Sequence, residues 1–209
     1  MKPKLLVATR NAGKQREIRA LLAEIPYDIV FPDDRGLEER RDEAGIEDAD
    51  SFEGNARRKA EYFARRSRLP TVAEDSGLEV FALGGAPGVR SRRFAFPSPA
   101  DPAEQDAANN AELLRRLAGA PDDRRGARYR CVVCFLERHD GMPHLFEGTC
   151  LGRVLPTPAG PGGFGYDPLF HSDDLGTSFG LATPEAKASV SHRGRAFRAF
   201  VDWLTSRGP

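Results

Sequence analysis

The 209-residue chain carries 31 basic and 31 acidic residues, so it has no net field to favour duplex nucleic acid or an anionic membrane. It is long enough to bury a full core, which leads us to expect a single domain over residues 1–209, in two lobes. No stretch approaches the roughly 20 apolar residues of a membrane span, and the early apolar run Leu5 to Ala8 is too short for a signal-peptide core, so a cytoplasmic protein is expected.

Along the chain, strand and helix patterns alternate, which predicts an α/β fold. Leu5 to Ala8 reads as the first strand. A helix follows from about Lys14, with Ile18, Leu21, Leu22 and Ile25 on one face, and Ile29 to Phe31 reads as a second strand. The polar, acidic stretch 32–49 reads as a surface loop. Asp50 and Glu53 suit a capping arrangement for a helix from Phe52 to about Ser67, with Phe52, Ala56, Ala60, Phe63 and Ala64 inward. A short strand, Thr71 to Ala73, runs into Glu74-Asp75-Ser76-Gly77, and Leu78 to Leu83 continues as strand before the turn at residues 84–88.

Asp101 to Leu117 reads as a helix begun by Pro102, and residues 119–126 as a charged turn. Strands are predicted at Arg128 to Glu137, His144 to Glu147 and about Leu151 to Leu155. A Pro/Gly loop (156–165) and a final amphipathic helix from Ser191 to Leu204 complete the chain, with Ala196, Phe197, Phe200, Val201 and Leu204 on one side. Cys131 and Cys134 form a Cys-x-x-Cys, but on a strand their side chains leave from opposite faces. With no second Cys or His pair nearby to complete a zinc site, buried core cysteines are expected, Cys150 included.

Lysine is scarce: Lys2, Lys4, Lys14, Lys59 and Lys187 are the only five among 31 basic residues. An ammonium is a compact point charge suited to phosphate oxygens. Lys14 closes Thr9-Arg10-Asn11-Ala12-Gly13-Lys14, a strand–turn–helix junction where backbone N–H groups favour an anion, although a Walker loop is absent. Lys59 lies on the next helix, where it either reaches the same phosphates or points to water. Asp75, at the expected strand end, suits magnesium or a hydrolytic water; the alternative is a turn Asp bonding its own backbone. Asp42 and Glu43 offer a second carboxylate, or ordinary solvated charge.

Gly163-Phe164-Gly165-Tyr166-Asp167 reads either as a ring exposed for stacking on a planar base, with Asp167 accepting from base or ribose, or as Phe164 tucked into the core. Lys187, His192 and Arg193, around the start of the last helix, offer donors suited to a 6-oxo purine, or else surface charge.

Taken in order, Thr9-x-Asn11-x-x-Lys14, Asn55-Ala-x-x-Lys59-Ala60, Asp75-Ser-Gly-Leu78, Gly85-Ala-Pro-Gly88, Gly163-Phe-Gly-Tyr-Asp167-Pro and Ser191-His-Arg193 resemble the pyrophosphatases of non-standard purine nucleoside triphosphates, the inosine triphosphatase or Ham1-like family. The resemblance covers nearly the whole chain. It implies an elongated mixed sheet with flanking helices, two lobes around a central nucleotide cleft, and a homodimer. It also implies magnesium-dependent hydrolysis of ITP, dITP and XTP to the monophosphate and pyrophosphate. By the same resemblance Asp75 is the proton acceptor and a metal ligand, and Asp42 or Glu43 is the other metal position. Thr9 to Lys14 and Lys59 hold the triphosphate, and Ser76, Phe164, Gly165, Tyr166, Asp167, Lys187, His192 and Arg193 form the rest of the site.

Arg10, Arg90 and Arg92 depart from the family pattern, Arg10 standing where glycine is frequent. Two rivals are open to the same sequence. A Maf-like pyrophosphatase shares the early Asn–Lys arrangement but lacks the Phe-Gly-Tyr-Asp and Ser-His-Arg strings, and a non-catalytic nucleotide sensor has no use for Asp75.

Overall fold

The computed structural model describes residues 2–97, 99 and 101–207, and it has the expected α/β organisation. Seven strands, β1 (Lys4–Val7), β2 (Asp28–Val30), β3 (Thr71–Val80), β4 (Gly126–Leu136), β5 (His144–Val154), β6 (Phe170–Ser172) and β7 (Thr177–Ser178), form one mixed sheet in the order β2-β1-β3-β4-β5-β6-β7. β1 pairs parallel with both β2 and β3, placing Leu6 opposite Val30 on one side and Thr71 on the other. β6 runs antiparallel to β5 and to β7. The helices are α1 (Ala12–Leu21), α2 (Phe52–Ser67), α3 (Pro102–Arg116), α4 (Pro184–Val190) and α5 (His192–Ser206). None of these is long and apolar enough to cross a membrane.

The structure corrects several local expectations. β3 does not stop at Glu74: it runs unbroken through Asp75 to Val80, so Asp75 lies mid-strand rather than at a strand end. Residues 81–83 are a short 3₁₀ turn instead of strand. β5 is one strand of 11 residues where two were expected. α2 is capped by Ser51, whose side chain accepts from the Gly54 N–H, rather than by Asp50. Two 3₁₀ turns, Asp33–Arg35 and Arg41–Gly45, punctuate the 32–49 loop. The three cysteines are free and buried, as the strand geometry required.

By its internal packing the chain divides into two compact units that interleave along the sequence. The first takes Met1–Asp75, Cys131–Gly148 and Arg193–Pro209; the second takes Ser76–Arg130 and Thr149–His192. Every switch falls inside β3, β4 or β5, or just after the first residue of α5.

The first unit's core is built from Leu5, Val7, Val72, Cys131, Val133 and Phe135 of the strands, with Ile18 of α1 and Ala196, Phe197 and Phe200 of α5. In the second unit Leu78, Val80, Ala127, Tyr129, Cys150 and Val154 pack with Leu113 of α3, Phe170 and Phe179. Burying such side chains contributes about 1.5–3 kcal/mol each, enough to hold polar groups at the strand centres where the sites lie.

Candidate active site

In the first unit, the polypeptide leaves β1 at Ala8, whose N–H donates to Val72 O at 2.8 Å, and turns directly into α1. Asn11 caps that helix: its side-chain oxygen accepts from the Lys14 N–H at 2.9 Å, while its own N–H donates to Thr9 Oγ1 at 3.2 Å. Gln15 Nε2 ties the Thr9 carbonyl at 3.0 Å. The junction from Thr9 to Lys14 is thereby fixed, with Lys14 in the first helical turn.

Glu74 and Asp75 leave β3 in opposite directions because side chains alternate along a strand. Glu74 is fully buried and gathers cations. Its Oε1 lies 2.7 Å from Lys14 Nζ and 3.4 Å from Arg193, and the Cys131 thiol donates to Oε2 at 3.4 Å. Burial alone would raise the Glu74 carboxyl, but the charges of Arg193, Lys14 and Lys59 hold it well below the usual range. Arg193 also pairs with Glu17 of α1 at 2.5 Å.

Asp75 is only 7% exposed. Its Oδ2 accepts from Asn55 Nδ2 at 2.9 Å, and the Asn55 side-chain oxygen in turn accepts from the Ala49 N–H at 2.8 Å. Burial pushes the Asp75 carboxyl above its ordinary value; Lys59 and Lys14 pull against that, and Glu47 adds to it. Lys59, buried on α2, donates to the Glu74 carbonyl at 3.0 Å and pairs with Glu47. The ammonium of Lys59 holds Glu47 down at about 2.

Asp42 and Glu43 are placed otherwise. Asp42, exposed, accepts from Tyr62 O–H at 2.8 Å. Glu43 lies between two guanidiniums, Arg10 at 3.0 Å and Arg66 at 2.5 Å. Arg10, expected at the phosphates, also pairs with Asp33 and donates to the Leu37 carbonyl at 2.6 Å. Among the described residues, no three acidic, histidine or cysteine side chains are grouped to hold a metal ion. Magnesium ordinarily needs only one or two carboxylates, its other positions going to substrate oxygens and water. Asp75 supplies one hard-oxygen donor for such an ion; Glu47, which acts on it as a like charge, is itself paired with the Lys59 ammonium.

In the second unit, Asp167 organises the glycine-rich loop. Its Oδ2 accepts from the Phe164 N–H at 2.8 Å and pairs with Lys187 Nζ at 2.5 Å, both groups being buried. Gly163 has φ +76°, and a Cβ there would lie 2.2 Å from Asp167 Oδ2, so only glycine fits. Phe164 is half-buried, and the Lys187 ammonium sits 4.9 Å from its ring centre. Asp106 accepts from the Gly165 N–H at 2.7 Å and Asn110 donates to its carbonyl at 2.9 Å, so α3 holds the loop. Tyr166 is buried with its hydroxyl on the Ser91 carbonyl at 2.8 Å. His192 stacks on Tyr129 at 4.4 Å with the rings 6° apart. Ser76 follows Asp75 on β3 and is half-buried.

The structure therefore groups Thr9, Asn11, Lys14, Lys59 and Asp75 with Arg193 in one unit, and Phe164, Asp167, Lys187 and His192 in the other. Sequence reasoning missed Glu17, Glu47, Tyr129, Asp106 and Asn110 as partners of these groups. Asn55, spaced four from Lys59 within the apolar stripe of α2, was a readable signal.

A model of the Ham1 family matches residues 5–203. The chain belongs to the Ham1 family. Among its relatives, the dITP/XTP pyrophosphatase of Syntrophobacter fumaroxidans is 43% identical over 97% of this chain and 85% of its own length. That of Yersinia pestis is 41% identical over 96% and 98%. Among solved family members, a HAM1 protein from Coxiella burnetii superposes with a TM-score of 0.84 at 30% identity, covering 98% of this chain and 99% of the other. The nucleoside-triphosphatase / dITP/XTP pyrophosphatase of Mycobacterium abscessus gives 0.72 at 39% identity, covering 95% and 98%.

Proposed function

We propose that this protein hydrolyses non-standard purine nucleoside triphosphates (dITP, ITP and XTP) to the monophosphate and pyrophosphate, removing them from the cytoplasmic nucleotide pool. The observation that carries the reading is a buried carboxylate, Asp75, with its basicity raised, in the company of two lysines that suit phosphate. The relatives' activity supports the same chemistry.

Asp75 takes a proton from water as the water oxygen bonds to the α-phosphorus. The bond from that phosphorus to the bridging oxygen breaks, and pyrophosphate leaves with the electron pair. Lys14 and Lys59 offset the charge that develops on it. The first-turn N–H groups of α1, fixed by the Asn11 cap, orient the phosphates. Asp75, with a carboxylate of the Asp42–Glu43 pair that the family likeness implies, would hold a magnesium ion, which when bound neutralises phosphate charge. Glu43 is held by two guanidiniums, Asp42 by Tyr62 and Glu47 by the Lys59 ammonium. For the base, Phe164 offers a stacking face. His192, its plane set by Tyr129, and Lys187, oriented by Asp167, complete the polar contacts. The family likeness also implies a homodimer.

Pyrophosphate release with magnesium, compared across dITP, ITP, XTP, GTP, dTTP and UTP, tests the reading. Turnover of the first three well above the others is expected. Asp75→Asn should retain nucleotide binding and lose at least about a hundredfold in kcat. Near-normal turnover by that variant would remove Asp75 from the role.

A further inference from the structure

Glycine carries the backbone on both sides of Phe164, with φ +76° at Gly163 and +61° at Gly165. Such a segment has many conformations to lose, and hydrogen bonds supply its order. Asp167 takes the Phe164 N–H from within the loop. The rest comes from α3. Asp106 Oδ2 accepts from the Gly165 N–H at 2.7 Å, a short bond strengthened by the carboxylate charge, and Asn110 Nδ2 donates to the Gly165 carbonyl at 2.9 Å. Residues four apart share one face of a helix, so this pair engages both backbone polar groups of a single residue, as a neighbouring strand would.

The adjacent row of α3, Gln105 and Asn109, is buried and holds a second segment. Asn109 Oδ1 accepts from the N–H groups of Phe94 and Ala95 at 3.1 and 2.9 Å and from Gln105 Nε2 at 2.9 Å. Its Nδ2 donates to the Arg92 carbonyl at 3.1 Å. Tyr166, next after Gly165, donates to the Ser91 carbonyl at 2.8 Å. Residues 91–95, α3 and residues 164–166 thus close a ring of hydrogen bonds inside the second unit.

We propose that Asp106 and Asn110 are positioning residues for base recognition: by clamping Gly165 from α3 they set the Phe164 ring as a preformed stacking face. A ring fixed before the nucleotide arrives spares the complex the cost of ordering a Gly-Phe-Gly segment. Both side chains act through the loop, not by touching substrate. The inference rests on the reading of Phe164 as the surface on which the base stacks.

The test uses the whole protein and compares Asp106→Ala, Asp106→Asn, Asn110→Leu, Phe164→Ala and the Asp106→Ala/Phe164→Ala double variant. Three quantities are measured: amide exchange over residues 162–167 without nucleotide, affinity for the α,β-methylene analogue of ITP, and inhibition by inorganic tripolyphosphate, which carries no base. Phe164→Ala should weaken the analogue at least about fivefold, the lower end for losing base–aromatic stacking. Asp106→Ala and Asn110→Leu should each speed exchange in the loop and weaken the analogue about threefold, a part of that stacking contribution. Asp106→Asn keeps an acceptor of the same shape and should stay within about twofold of the native protein. The double variant should bind no worse than Phe164→Ala alone, because the clamp acts through the ring. Tripolyphosphate inhibition should hold throughout. Asn110→Leu keeps the bulk of the side chain and carries the test should Asp106→Ala not fold.

Unchanged exchange in the α3 variants overturns the clamp. Faster exchange with analogue affinity intact leaves a structural bond only and overturns the positioning role. Losses that add in the double variant, or that extend to tripolyphosphate, mean that Asp106 acts by a route other than the ring, which also overturns it. If Phe164→Ala binds the analogue normally, the stacking reading fails and the positioning role fails with it, even where exchange still reports a clamp.

Discussion

Glu74 and Asp75 differ by one methylene and sit side by side, yet the structure gives them different chemistry. Glu74 faces inward and is held ionised by Arg193, Lys14 and Lys59 against the cost of its burial. Removing its charge leaves those cations partly uncompensated, so Glu74→Gln should destabilise the protein by about 3–5 kcal/mol near neutral pH. Because the folded-state pKa is depressed, the stabilisation is present above the unfolded value of about 4.3 and is lost as pH falls from there through the folded pKa. Denaturant titrations of the variant and the native protein should accordingly converge in acid; a gap that stays constant from pH 7 to pH 3 would rule this account out. The cysteines give a second prediction. Burial pushes the Cys134 thiol up to about 12 and Cys131 well above its ordinary value. Thiol reagents at pH 8 should leave both unmodified in the folded protein and label them in denaturant, which mass spectrometry would show directly.

At the scale of elements, the glycine-rich loop depends on Gly163, where a side chain would collide with the Asp167 carboxylate. Gly163→Ala should displace Asp167 from Lys187 and raise the KM for ITP several-fold more than it lowers kcat; steady-state kinetics checks this, and an unchanged KM would detach the loop from substrate. What the sequence made legible follows from periodicity. The bounds of α2 and its inward face emerged because Phe52, Ala56, Ala60, Phe63 and Ala64 repeat at helical spacing. β3 looked broken because Glu74-Asp75-Ser76 is polar, and local pattern does not announce polar residues buried for chemistry. β5 looked like two strands because Gly148 and Thr149 interrupt its apolar run, although the alternation of buried positions continues through them. β6 and β7, of three and two residues, exist through pairing, β6 with β5 and with β7 in a short hairpin, and the seven-residue α4 hid in a motif read only for its lysine. In the site, motif residues were found, but their partners were not. Glu47, which the fold pairs with Lys59, carries no local mark that separates it from Glu43 or Asp48.

For the molecule as a whole, the family's implied homodimer predicts a sedimentation-equilibrium mass of twice 22.9 kDa; a value at 22.9 kDa would exclude it at the concentration used. The mixed α/β sheet was legible from alternating patterns and from the ordered set of motifs, and the fold agrees with solved family members. The partition of the chain was not legible, since no linker marks it. The main chain passes between the two packed units within strands and at the start of α5. A practical result concerns protein engineering and gene history. Neither unit corresponds to a contiguous stretch of coding sequence, so no single fragment boundary separates one whole unit from the other. Phe164, Asp167, Lys187 and His192 nonetheless all fall in one stretch, Thr149–His192, which a single segment exchange between relatives would carry across together.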